Sequence, residues 1–306
     1  MNSSGSRLTI RKKRIYCDDV SLECAVAGSG NKKLKSNGSA TGKGSVIFLN
    51  GAGMSYERTW RKQFELSTNP GYRFIFHNSR GIGGSDITLP VAGITTSGNT
   101  SENYIKTSVS DTMTVIERFG EPPFHFVGHS MGGLVMVELY FACLENPEIK
   151  NKIKSLTFVS SPASSSLDTW PPIEHYPYYI HAVASSQELL LWLTLSAGLE
   201  KLFHNKLFGK LAFVRFKETY ATLQALISLI HEGDRLGESI NHIACPSLII
   251  HERDDSKVSV NAAATIAQRL GANGTTVILP GSSHFPMLAE ARNFNQTLMN
   301  FLAWNP

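Results

Sequence analysis

Gly128-His129-Ser130-Met131-Gly132 directly follows the apolar run Phe124–Val127 and directly precedes a helical pattern. A chain that turns straight from strand into helix forces its middle residue to positive φ, and the residues two positions away must then be small. Gly128 and Gly132 meet that demand, and Gly133 lets the helix lie close to a sheet. Such an elbow exposes the Ser130 hydroxyl and makes it the candidate nucleophile. A serine hydroxyl is a weak nucleophile near neutral pH and needs a histidine base, held in the right tautomer by a carboxylate. Of the ten histidines, His284 is the best placed, in Gly281-Ser282-Ser283-His284-Phe285-Pro286 just past a strand pattern ending at Leu279. The acid is expected after the strand pattern Ser247–His251, where Glu252, Arg253, Asp254 and Asp255 compete. Counting from the strand end favours Asp254, and counting back from Val258 favours Asp255. We take Asp255, and expect Asp254 to bond the loop backbone as Asp commonly does in turns.

The intermediate formed by attack on a carbonyl needs two backbone N–H donors aimed at its oxyanion. One is expected from Met131, where a helix N-terminus adds positive potential. The other is expected from Asn50-Gly51-Ala52-Gly53, with the Ala52 amide as first choice. The chemistry is acyl transfer, and it requires neither a metal nor an organic cofactor.

These residues need a scaffold, and short β-branched and aromatic runs alternating with helical patterns predict a parallel sheet covered by helices. The clearest strands are Val46–Leu49, Arg73–His77, His125–Val127, Leu156–Val159, Ser247–His251 and Thr276–Leu279. Helical spacing covers Ile105–Phe119, Met131–Leu144, Val260–Leu270 and Ala291–Leu302, with Ile105, Val109, Met113 and Ile116 on one stripe. Residues 28–44, rich in Gly, Ser and Lys, read as an exposed hairpin connection without chemistry. Between Pro162 and Ala244 the strand signal stops, so 162–244 is expected to be an inserted helical lid, with 1–161 and 245–306 forming the core. Within it, Leu223, Leu226, Ile227 and Ile230 predict one apolar helix face, while Lys201, Lys206, Lys210, Arg215 and Lys217 read as a solvated basic face.

The 306 residues are 42% hydrophobic and 18% charged, enough for a sizeable core. A net charge of +4 falls short of the dense basic stripe that nucleic-acid binding needs. Cys17, Cys24, Cys143 and Cys245 form no CxxC pair and show no metal-ligand spacing, and so read as reduced thiols. The longest apolar run, Leu189 to Leu199, is too short for a transmembrane segment. No apolar stretch follows the basic residues near the N-terminus, so a cytoplasmic location is expected.

Asn50 to Gly53, Asn78-Ser79-Arg80-Gly81-Ile82-Gly83-Gly84-Ser85, Gly128 to Gly133, His251 to Val258, and Gly281 to His284 with Glu290 together resemble the ordered landmarks of the α/β-hydrolase superfamily. The resemblance implies a mostly parallel eight-stranded sheet with helices on both faces and a helical lid after the sixth strand. It also aligns His251 to Asp255 with the family's strand-His-Gly-x-x-Asp pattern, which points to Asp255. Asn50 stands where the family often has His, Asn78 where it often has Asp, and Glu252 where it usually has Gly. A serine nucleophile excludes the family's dehalogenases and epoxide hydrolases. Hydrolysis of a small-molecule carboxylic ester or acyl compound is the implied activity, and Leu189-Leu190-Leu191-Trp192 and Leu202-Phe203 in the expected lid favour a hydrophobic acyl or aromatic group. Thioester, lactone or carbon–carbon bond hydrolysis, acyl transfer, and ligand sensing on the same scaffold are the alternatives.

Overall fold

The apolar runs of the chain assemble into one eight-stranded sheet in the computed structural model, which describes residues 10–18, 20–28, 42–69, 71–87, 104–165 and 206–306. In chain order the strands are β1 (Ile10–Cys17), β2 (Val20–Gly28), β3 (Gly44–Leu49), β4 (Tyr72–His77), β5 (Phe124–His129), β6 (Ile153–Val159), β7 (Ser247–Glu252) and β8 (Gly274–Leu279). Their spatial order is β1-β2-β4-β3-β5-β6-β7-β8. β2 pairs antiparallel with β1 and β4, and all other pairs are parallel. The chain leaves β3 toward β4 and returns on the other side as β5, so the sheet's topological switch point lies between β3 and β5, where α/β sheets place ligands.

The period of two in β3 sends Val46 and Phe48 to one face and Ile47 and Leu49 to the other, into two separate apolar clusters. Every residue of β3 and β5 is buried, as central parallel strands covered on both faces must be. The described helices longer than one turn are α1 (Tyr104–Phe119), α2 (Met131–Glu145), α3 (Lys206–Ser239), α4 (Asn261–Leu270) and α5 (Ala291–Trp304). Ile105, Val109 and Ile116 of α1 are buried on the predicted stripe. No described helix is long and apolar enough to cross a membrane.

Of the predicted insertion, 166–205 lies outside the described residues, as does most of the Gly/Ser/Lys-rich connection. What is described is α3, whose inward face differs from the predicted one. Ile230 is 54% exposed and Leu226 half-buried, whereas Ala221, Ala225, Leu229 and Leu236 are buried. Small side chains set that face because the helix lies tightly on core loops: a Cβ on Gly81 would sit 2.8 Å from Ala221 Cβ. Lys217 also departs from the solvated basic face, since it is buried and its Nζ donates to Gly83 O at 2.8 Å and Ser85 O at 2.6 Å.

Among the described residues, burial holds four interior histidines below their ordinary value: His77, His125, His129 and His251. Burial pushes His77 and His125 down to about 4 and His129 to about 3, from 6.5. The unfolded chain therefore binds more protons than the folded one between those values and about pH 6.5, and stability falls as pH drops through that window. Urea unfolding across pH 7 to 4.5 should show a loss of up to about 4 kcal/mol per pH unit from His77, His125 and His129, about 1.4 per histidine, with His251 adding to it. His125→Gln should lower the slope by about 1.4 kcal/mol per pH unit; an unchanged slope would contradict the assignment.

Candidate active site

Ser130 sits between β5 and α2 with φ 52° and ψ −127°, a conformation that L-residues rarely adopt. Its neighbours are glycines because no side chain fits. A Cβ on Gly128 would lie 2.4 Å from Gly132 O, and one on Gly132 would lie 2.6 Å from Asn50 O. The strained residue is pinned by its own N–H, which donates to Val159 O of β6 at 2.8 Å. Leu49 at the end of β3 pairs with Gly128 of β5, so the loop after β3 arrives directly beside the elbow. A Cβ on Gly51 would stand 3.1 Å from Ser130 Cβ and 3.0 Å from His129 Nδ1.

His284 and Asp255 meet at the same edge of the sheet, with Nδ1 2.8 Å from Oδ2. An ionised carboxylate can only accept, so Nδ1 carries the proton and Nε2 is left as the basic nitrogen. Asp255 is buried. Burial pushes its carboxyl up, but the bond from His284 and the amides of Lys257 (2.7 Å) and Val258 (3.1 Å) outweigh that and hold it below its ordinary value. Asp254 is exposed, its backbone N–H donating to Gly281 O at 2.9 Å, and the loop amides expected to bond it go to Asp255 Oδ1 instead. Behind Asp255, His251 donates from Nε2 to Val258 O at 2.9 Å, and burial lowers its pKa.

The segments that carry Ser130 and His284 are tied by a residue that sequence reasoning passed over. His129 Nε2–H donates to His284 O at 2.9 Å, and the two rings lie 4.9 Å apart at their centroids. Trp60 stands edge-on to the same imidazole and Phe285 packs against its face. The position between Gly128 and Ser130 carries no signal of this role, because its partner lies 155 residues away.

Met131 opens α2, so its N–H is one of the helix-start amides without an intrahelical partner. Ala52 and Met131 line one small enclosed cavity, of about 10 Å³, together with Asn50, His77 and Ser79. The Asn50 side chain braces this loop by donating from Nδ2 to His77 O at 2.8 Å. From above, Thr222 of α3 presses on Gly53, where a Cβ would be 2.3 Å from Thr222 Oγ1. Asn78 explains its own departure from the family pattern. Its Oδ1 accepts from Tyr56 N at 2.8 Å while its Nδ2 donates to the Glu23 carboxylate at 3.0 Å, where an aspartate would face another carboxylate. Among the described residues, no group of three His, Cys, Asp or Glu side chains is arranged to hold a metal.

The sequence profile described as the alpha/beta hydrolase family matches residues 46–297. RutD of Variovorax paradoxus, a protein named for carbamate hydrolysis, is 26% identical over 283 residues, covering 87% of this chain and 94% of that relative. RutD of Stutzerimonas stutzeri is 23% identical over 257 residues, covering 80% and 86%. Among solved structures, an esterase from Exiguobacterium antarcticum superposes with TM-score 0.64 at 20% identity, covering 96% of this chain and all (100%) of the other. A bromoperoxidase from Bacillus anthracis gives TM-score 0.65 at 19% identity, covering 96% and 100%. At these identities the structural likeness establishes the fold.

Replacing each aspartate in turn separates their roles. Asp255→Asn should lower kcat on p-nitrophenyl acetate by about 10⁴-fold through the wrong imidazole tautomer. Asp254→Asn should leave it within about threefold, as for an exposed side chain. The reverse ranking would move the acid to Asp254.

Proposed function

Because the chain belongs to the alpha/beta hydrolase family, we propose that it cleaves a carboxylic ester or related acyl compound through Ser130, His284 and Asp255. The observation that carries this reading is the 2.8 Å bond between His284 Nδ1 and a buried Asp255, placed at the same sheet edge as the strained Ser130.

His284 Nε2 takes the Ser130 proton as Oγ attacks the substrate carbonyl, giving a tetrahedral intermediate. The Ala52 and Met131 amides receive the oxyanion, and one such donor is worth about 3–4 kcal/mol of transition-state stabilisation. The imidazolium then passes its proton to the leaving group, and the acyl group stays on Ser130. Asp255 stabilises that imidazolium and keeps its own charge throughout. Water, deprotonated by the same Nε2, attacks the acyl-enzyme and restores Ser130.

Two relatives named for carbamate hydrolysis support carbamates as a second substrate class, since a carbamate carbonyl is open to the same attack. The apolar lid residues expected to favour a hydrophobic acyl group, Leu189 to Trp192 and Leu202-Phe203, lie outside the described residues. Substrate size is therefore a matter for a panel: p-nitrophenyl esters from acetate to palmitate, thioesters, and an aryl carbamate.

A fluorophosphonate probe should label the wild-type protein on Ser130. Ser130→Ala should lose both the label and turnover of every active member of the panel, by about 10⁶-fold where measurable. Turnover surviving in Ser130→Ala, or a label on another residue, would overturn the proposal.

A further inference from the structure

Glu252 ends β7 where the resembling family usually has glycine, and its side chain is almost wholly buried, at 1% exposure. A buried carboxylate is costly unless it is bonded, so its partner is informative. Its Oε2 accepts the Ser283 N–H at 2.6 Å, whereas its Oε1 is buried with no hydrogen-bond partner among the described residues. The room for that carboxylate comes from the opposite strand end. Gly281 has φ 147°, and a Cβ there would lie 2.4 Å from Glu252 Oε2. Beyond the sheet the two loops continue side by side, with Arg253 N–H on Leu279 O at 3.0 Å and Asp254 N–H on Gly281 O at 2.9 Å.

The Ser283-His284 segment is thus held at three points. Glu252 takes the N–H at one end, His129 donates to the C=O at the other, and Asp255 takes the imidazole Nδ1 between them. We propose that Glu252 is a positioning residue, which grips the Ser283 amide opposite His129 and so fixes where the His284 imidazole stands relative to Ser130. The inference rests on the Ser130–His284–Asp255 reading. The bond that Glu252 makes to this segment goes to a backbone amide and not to the imidazole. Burial raises its pKa, and the facing carboxylates of Glu290 and Asp255 push the same way, while the Ser283 amide stabilises the charged form.

The test compares the wild type with Glu252→Ala and Glu252→Gln on p-nitrophenyl acetate, alongside the fluorophosphonate labelling rate and hydrogen exchange at the Ser283 amide. Loss of the grip lets the base drift, and misplacement of about 1 Å costs up to about 100-fold. Glu252→Ala should therefore lower kcat and the labelling rate by about 10- to 100-fold with KM within about twofold, and Glu252→Gln, which keeps an acceptor oxygen, should recover most of the loss. In the wild type the Ser283 amide should exchange far more slowly than that of Ser282, a result that needs no variant to fold. Wild-type kcat in Glu252→Ala, equal losses in Ala and Gln, or a Ser283 amide exchanging as fast as Ser282 would overturn the proposal. A wild type that fails to label on Ser130 would instead remove the triad reading, and Ser283 protection would still report on the grip.

Discussion

Everything in this molecule converges on one backbone constraint, the positive φ of Ser130 between a buried strand and a buried helix. Such a conformation costs about 1–3 kcal/mol and persists only where the surroundings over-determine it. Here β6 holds the Ser130 amide, β3 supplies the carbonyl oxygens of Leu49 and Asn50 against Gly132, and Ser161 leaves no room for a side chain at Gly133. The strain is sited at the switch point between β3 and β5, where the loop after β3 packs on the elbow and His129 bonds the backbone of His284.

Electrostatics around the elbow follow from burial. The histidines nearest the core are kept neutral, so His129 can lie against the His284 ring without adding a second positive charge. The one carboxylate beside the imidazole is kept charged by bonds from His284 and from the backbone amides of Lys257 and Val258. Helix α3 closes the other side through Thr222 on Gly53 and Lys217 on the Gly83 and Ser85 carbonyls, which ties its placement to that of the loop after β3.

Much of the scaffold was legible because central parallel strands are continuous apolar runs. β1 and β2 were not: IRKKRIYC carries four consecutive cations that suit an exposed antiparallel edge, and VSLECAVAG interleaves small and polar residues, so neither gives a continuous apolar signal. On α3 the expected apolar face departs at Ile230, which is exposed, because Ala221 and Ala225, weak marks of an apolar face, are buried beside Leu229 and Leu236. At the site, local spacing pointed to Ser130, to His284 and to a four-residue window for the acid in which Asp255 was the choice. The choice between Asp254 and Asp255 depends on which one turns inward, and that is decided by amides two and three residues further on. His129 and Glu252 left no trace beyond a departure from pattern, because both act on partners that only the fold brings near.

The central claim is that Ser130 attacks a carbonyl whose oxyanion lies between the Ala52 and Met131 amides, and a crystal structure of the protein inactivated by a p-nitrophenyl phosphonate tests it most directly. The expected adduct has phosphorus bonded to Ser130 Oγ, with the phosphoryl oxygen about 2.7–3.1 Å from both amide nitrogens and His284 Nε2 facing the ester oxygens. Phosphorus on another side chain, or a phosphoryl oxygen turned to solvent with neither amide in reach, would contradict it.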